Sequence, residues 1–478
     1  MSEVTPMRID GEAVTTHDTD EVRSPFDDRV LGHVPVGTAA EVDRAVEVAL
    51  RRHRSGAPPA HERAAVLDRA ASAIASGSER FARCISDEAA KPITAARTEV
   101  ARCADTFRFA AAVARTLTGT TVPMDASGAG MDKFGFTIRV PVGVVGAISP
   151  FNFPLNLVAH KVAPAIAAGC PVVLKPASAT PLTALMLAEL LEQEAGLPPG
   201  WLNVVTVPGS AAGRLVEHPD VAAISFTGSP GVGWSIRERA PRKRVGLELG
   251  NNAPVIVHHD ADLDLAARQI TKGGYAYSGQ TCISVQRVYV HEAVVEDFTD
   301  RLHSSVEQLV VGDPADDDTD VSALISAAET GRVSSWIDEA TQGGAQLLTG
   351  GDLDADGVLR PTILTGVRAE MSVCSEEVFG PLVGLQTYRD TDEAFAAAND
   401  TRYGLQAAMF TNDLSLGLEA AHRLDFGGVC INEAPTFRVD QMPYGGVRDS
   451  GNTREGPAWA VREMMTEERM VVIQRDRG

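Results

Sequence analysis

A carboxylate and a thiol mark the stretch of this 478-residue chain where chemistry is easiest to see. Glu248 opens the run ELGNNAPVIV, and Cys282 closes the run YSGQTC. A thiolate is nucleophilic and a carboxylate can take a proton, so the two have the makings of one site if the fold brings them together. The chain between them has room for one strand and one helix. Ala253 to Val257 is an apolar strand-like run, and Asp262 to about Tyr275 has helical spacing with Asp260 or Asp262 as N-cap. A βα unit of this kind can return both ends to one cleft.

Three further motifs sit where strands should end. PFNFPLN carries Phe151, Asn152 and Phe153, KPAS carries Lys175 and Ser178, and FTGSPGVG carries Gly228 and Ser229. Each follows an apolar run in an alternation of strands and helices that begins near Val142. Repeated βαβ units imply a parallel, doubly wound sheet, whose ligands bind outside the carboxyl ends of its strands. Gly228 and Ser229 lead into a helix whose free N–H groups could hold a pyrophosphate. The spacing is not GxGxxG, so alone it is a weak signal. After Cys282 a second alternation runs to GGVCIN, which predicts a second α/β domain with the boundary near Gly250.

The N-terminal part reads as short strands and then helices. Thr38 caps a helix over Ala39 to about Arg52, Pro58-Pro59 starts a long helical region through Arg80, and Thr94 caps a helix to about Thr116. Arg102 lies near the apolar face of that last helix, where a surface or ion-paired arginine is the plainer interpretation. Alternating Phe134, Phe136, Ile138 and Val140 predict a half-buried strand, and RMVVIQ near the C-terminus predicts another. Both are expected to serve oligomerisation, with packing inside one subunit as the alternative.

Composition narrows the class. The 64 acidic residues exceed the 43 basic ones, and a net charge of −21 argues against nucleic acid and anionic membranes as partners. The six cysteines show neither CxxC nor Cys/His metal spacing, so no zinc site or disulfide framework is expected and a cytoplasmic setting fits best. Cysteines other than Cys282 are expected to be small buried hydrophobes. His258-His259 lacks a third ligand, and the N-terminal residues lack a signal-peptide layout.

Taken together, PFNFP, VLKPAS, FTGSPGVG, LELGNN, GQTC, EEVFGP and PYGGVRDSGNTREG, in that order along nearly the whole chain, resemble the hydrolytic NAD(P)-dependent aldehyde dehydrogenases. The resemblance implies an α/β, aldehyde dehydrogenase-like fold: two doubly wound α/β domains plus a small β oligomerisation element. It divides the chain into a cofactor domain (1–121 and 141–250), a catalytic domain (251–440) and oligomerisation elements (122–140 and 457–478) of a homodimer or homotetramer. It makes Cys282 the nucleophile, Asn152 the oxyanion donor and Glu248 the base that activates water. Lys175 and Glu377 match ribose-binding positions, Ser229 and Gly228 the pyrophosphate turn, Phe379 a position near the nicotinamide ribose, and Phe151 is a further cofactor-binding position. Many strictly NAD-using relatives carry glutamate where this chain has Ser178. The serine removes a repulsion toward a 2′-phosphate, so NAD or NADP is expected.

The segment PTFRVDQMPYGGVRDSG resembles the branch of lactaldehyde, non-phosphorylating glyceraldehyde-3-phosphate and phosphonate-aldehyde dehydrogenases. In that branch Arg438 and Arg102 match positions facing a substrate anion, and Thr281 and Phe153 are expected as further substrate-binding residues. Two guanidiniums on one pocket would suit a phosphate, phosphonate or carboxylate. Thr281, where some relatives have arginine, weighs against a phosphorylated substrate. The expected activity is oxidation of a small anionic aldehyde to its acid. A CoA-acylating enzyme, a thiol hydrolase and a catalytically silent scaffold are the alternatives, and Glu248 counts against the first.

Overall fold

A computed structural model of the chain describes residues 4–474. The ends of the expected N-terminal and C-terminal segments, residues 1–3 and 475–478, lie outside the described residues.

Two seven-stranded sheets carry the fold. In the first, Val144–Ile148 lies centrally, with Val172–Lys175 and Leu202–Val204 on one side and Val221–Thr227 and Arg244–Glu248 on the other, all parallel. Met7–Ile9 and Glu12–Val14 extend one edge in antiparallel fashion. In the second sheet Ala253–Val257 has Val285–His291, then Leu382–Tyr388 on one side, and Gln406–Phe410, then Gly428–Ile431 on the other, again parallel. The central strands read as unbroken apolar runs because helices cover both faces and their side chains are buried.

Helix boundaries show where local chemistry decided. Thr38 caps Ala39–Arg54 with a full capping box through Glu41, so this N-terminus matches its prediction. Asp262 likewise caps Leu263–Tyr275 by accepting from Leu265 N–H. The long helical region after Pro59 is two helices, Ala60–Ser76 and Ser78–Ala89, parted at Gly77, whose missing Cβ lowers helix propensity. The helix assigned to Thr94 instead starts at Ile93 with Pro92 at its N-cap, because proline fixes an extended entry and has no N–H to satisfy. The two β-favourable pieces form Lys133–Pro141 and Thr466–Gln474. They pair with each other antiparallel over nine residues, with Thr121–Val122 as third strand.

Candidate active site

The βα unit returns as its spacing implies. Strand Arg244–Glu248 delivers Glu248 to the carboxyl edge of the first sheet, and helix Leu263–Tyr275 leads back to the turn that presents Cys282. That turn is unusual. Tyr277, Ser278 and Gly279 follow one another at positive φ (50°, 55° and 73°). Left-handed backbone is unfavourable for Tyr and Ser, so the surroundings must hold it. They do so with the Tyr277 hydroxyl donating to Ala89 C=O at 2.9 Å and the Ser278 hydroxyl donating to Ser322 C=O at 2.6 Å. A Cβ on Gly279 would collide with the Gly380 carbonyl oxygen. This turn seats Cys282 against the loop of the EEVFGP motif.

A cleft of about 870 Å³ opens between the two sheets, lined by Cys282, Glu248, Asn152 and every residue matched to the cofactor. Asn152 is buried, and its Nδ2 donates to Gln280 C=O at 2.9 Å, which fixes the amide and leaves its second N–H available. Glu248 is 4 % exposed and, among the described residues, neither of its oxygens has a hydrogen-bond partner. Burial, reinforced by the charge of Glu455, holds its carboxyl well above the usual range. A Cβ on Gly445 would lie 2.8 Å from Glu248 Oε1, so a glycine there leaves the carboxylate its room. Cys282 Sγ lies 2.9 Å from the Tyr444 hydroxyl, and burial pushes its thiol up to about 12 despite that contact.

The other wall suits a dinucleotide. Ser229 is the N-cap of Pro230–Arg239 and makes no side-chain capping bond, and it lines the cleft together with Gly231 and Val232 of the helix's first turn, whose N–H groups lack partners within the helix. The Lys175 ammonium is buried there, and burial lowers its pKa with no carboxylate to offset it. Glu377 accepts from Asn251 N–H at 3.0 Å, and burial raises its carboxyl to about 7. The Phe151 and Phe379 rings meet edge to face, 5.9 Å between centroids. An unpaired cation, an open helix terminus and a carboxylate on one wall match phosphates and ribose hydroxyls. Ser178 stands exposed at the same wall.

The arginines stand differently. Arg102 grips Asp440 at two points, 2.9 and 3.2 Å, and Asp440 also accepts from Asn156 and contacts His160. Arg438 donates to Glu455 at 2.8 Å and lies 3.8 Å above the Tyr444 ring, with its Nε left without a partner. Each guanidinium therefore has a buried carboxylate beside it, Asp440 or Glu455, and neither carboxylate was singled out from sequence. Thr281 is 8 % exposed with its hydroxyl unpaired, and Phe153 lies under the Lys91 ammonium, 3.7 Å from ring centre.

Sequence reasoning also passed over Lys161, Tyr444 and the pair Lys91–Glu99. Lys161 is fully buried and donates to Thr227 Oγ1 at 2.6 Å, with Glu455 at 3.5 Å. Burial opposes ionisation of Glu455, yet Lys161 and then Arg438 hold it down to about 2. Lys91 donates to Glu99 and, at 2.6 Å, to Asn152 C=O, tying a buried ion pair to the oxyanion loop. A signal existed. The chain has six lysines, and Lys161 lies inside the apolar helix LNLVAHKVAPAIAAG, where a charge must be paired. The His258-His259 pair gains His291 as a ring neighbour, but among the described residues no group of three or more ligands could hold a metal.

Comparison with known proteins agrees with this geometry. The model of the aldehyde dehydrogenase family matches residues 13–470. A 3-sulfolactaldehyde dehydrogenase of Priestia aryabhattai is 46 % identical over 97 % of each chain. Aldehyde dehydrogenase 21 of Physcomitrella patens, solved with the reaction product succinate, superposes with a TM-score of 0.96 at 37 % identity over 99 % of each chain. The glyceraldehyde-3-phosphate dehydrogenase GapN of Methanocaldococcus jannaschii, solved with NADP, superposes at 0.92 with 37 % identity, covering 96 % of this chain and 100 % of that one. The chain belongs to the aldehyde dehydrogenase family.

Proposed function

We propose that this protein oxidises a small anionic aldehyde to its carboxylic acid with NAD or NADP, through a thioester on Cys282. The observation that carries it is one cleft holding an accessible thiol, a fixed amide donor, a buried carboxylate and a dinucleotide-shaped wall. Sγ attacks the carbonyl carbon and the π pair moves to oxygen, where Asn152 Nδ2 donates to the developing charge. The cofactor, when bound, supplies the hydride acceptor. Lys175 and Glu377 would hold its ribose hydroxyls, while Ser229 and the N–H groups behind Gly228 would hold its pyrophosphate. Glu248 then takes a proton from the water that adds to the thioester, a task its elevated pKa favours once it is ionised, and the acyl C–S bond breaks to release the acid and return the Cys282 sulfur. Water-activating chemistry at Glu248 supports hydrolysis over transfer to CoA.

The anion is read by Arg438, which carries the unpaired Nε and lies close enough to Cys282 and Glu248 to influence both charges. Arg102 contributes from its pair with Asp440, and Thr281 and Phe153 shape the space around the reacting carbon. Relatives named for sulfolactaldehyde and glyceraldehyde-3-phosphate support an anionic substrate. We assign cofactor binding to 1–121 and 141–250 and catalysis to 251–440, a division that the position of the cleft between the two sheets supports. The strands Lys133–Pro141 and Thr466–Gln474 expose Phe134, Ile138, Met470, Val472 and Ile473, which supports a homodimer or homotetramer built through this sheet. Light scattering on the purified chain tests that. Among the described residues no helix is long and apolar enough to cross a membrane, and we place the enzyme in the cytoplasm.

The deciding experiment follows NAD(P)H formation by absorbance, without CoA, over neutral, carboxylated, phosphorylated and sulfonated aldehydes. Preference for an anionic aldehyde that Arg438→Ala removes supports the reading. Equal turnover of neutral aldehydes would leave the chemistry standing and make both arginines structural.

A further inference from the structure

We propose that the Tyr444 hydroxyl donates a hydrogen bond to the Cys282 thiolate, which makes Tyr444 a catalytic residue that activates the nucleophile. The contact is 2.9 Å and the ring is 3 % exposed, so water does not compete for the phenol. Its placement is set from two sides. Backbone bonds in both directions between Tyr444 and Glu455, 3.2 and 2.6 Å, pin the main chain, and Ile283 and Leu405 pack around the ring.

The direction of the bond follows from Arg438. Its guanidinium lies 3.8 Å over the Tyr444 ring and is anchored by Glu455 at 2.8 Å. A cation on the ring face draws electron density from the phenol, which strengthens it as a donor and weakens it as an acceptor. The same charge favours the thiolate over the thiol. Burial dominates at Cys282 and raises its pKa, with Glu377 and Glu248 adding to the rise. The Tyr444 hydrogen bond, and after it Arg438, are the influences that pull it down. Ionisation sends the thiol proton to water in the cleft and leaves the charge on Sγ. Attack then forms the S–C bond while the carbonyl pair moves to oxygen, and Tyr444 loses no proton.

The inference rests on Cys282 being the nucleophile, and its test keeps the two apart. Iodoacetamide alkylates Cys282 by forming an S–C bond and expelling iodide, and peptide mass spectrometry resolves this cysteine from the other five. The readout is the pH dependence of that rate in wild type and Tyr444→Phe. In the variant the profile should move up by about one to two pH units, and the rate at neutral pH should fall about ten- to a hundredfold, as expected for loss of a hydrogen bond to a charged acceptor. An unmoved profile overturns the proposal. A downward shift also overturns it, because the thiol would then be donating to the phenol.

Should Tyr444→Phe fold poorly, 3-fluorotyrosine at position 444 keeps the contact with a stronger donor, and the profile should then move down. No movement there overturns the proposal equally. If alkylation at Cys282 leaves aldehyde oxidation intact, the nucleophile assignment itself is wrong.

Discussion

The two sheets have switch points, crevice positions by topology, at equivalent places; the loops at one line the cleft, and the loops at the other are hydrogen-bonded to each other. In the first sheet the central strand Val144–Ile148 and its neighbour Val221–Thr227 end in the loops that carry Phe151, Asn152, Gly228 and Ser229. In the second, Ala253–Val257 and Gln406–Phe410 stand in the same relation and end in His258–Asp262 and Thr411–Asp413. Topology alone would predict a ligand at both. In the second crevice, however, Asp260 accepts from Thr411 Oγ1 at 2.8 Å and Asn412 N–H at 3.1 Å, while the Asn412 amide donates back to Asp260 C=O at 2.6 Å. Asp413 spends its carboxylate capping Leu414–Arg423. The loops satisfy each other. Around the first crevice the polar atoms of Glu248, the Asn152 Oδ1 and the Thr281 hydroxyl are buried without partners. A fold offers binding edges, and the hydrogen bonds left unmade decide which edge is used.

The largest effect expected on the open side is that of Cys282→Ala. Turnover should fall by about a thousandfold or more, while titration of intrinsic fluorescence shows cofactor still binding; retained turnover would end the mechanism. Glu248→Gln comes next. Deacylation should slow by about a hundredfold or more, with a burst of NAD(P)H preserved in rapid mixing. The sign of the pH dependence follows from the raised carboxyl. A carboxyl held up by burial acts as a base only once ionised, so wild-type deacylation should keep rising with pH beyond the ordinary carboxylate range, and in the glutamine variant that rise should vanish. A steady-state rate that climbs equally in both would place the base elsewhere.

What could be read in advance follows the same division. Cys282, Glu248, Asn152 and the Ser229 turn were legible as candidates for one cleft because each sits in a short motif whose backbone geometry is local: a strand end, a helix cap, a tight turn. The parallel central strands of both sheets were legible because apolar runs alternate with helical spacing; the antiparallel edge strands were not. The partners of Arg438 and Arg102 were not, since Glu455 and Asp440 lie in loops with no periodicity and meet the guanidiniums only after both sheets are assembled. Tyr444 was hidden for a related reason: an aromatic beside glycines reads as packing until its hydroxyl is found 2.9 Å from sulfur. The two outer strands were legible as strands, yet their antiparallel pairing within one chain is a register that no single segment encodes.

A moderate effect sharpens the comparison on the open side. Ser178→Glu places a carboxylate at the exposed cleft wall, where it should repel a 2′-phosphate and not a 2′-hydroxyl. The KM for NADP should rise about tenfold with that for NAD little changed, measured by initial rates with each cofactor. Parallel changes in both would move the adenosine ribose away from Ser178.

The smallest effect belongs to the closed crevice, and it should have the opposite signature. Asp260→Ala leaves the Thr411 hydroxyl and Asn412 N–H without their acceptor in a half-buried loop pair, which should cost about 1 kcal/mol of stability. Calorimetry should show a lower thermal midpoint. Initial rates should show unchanged kcat and unchanged KM for both cofactor and aldehyde, because the active cleft lies at the opposite, amino-terminal edge of this sheet, where Cys282 precedes Val285–His291. Loss of activity without loss of stability would mean that the second crevice communicates with the first, and that its filled hydrogen bonds do more than close it.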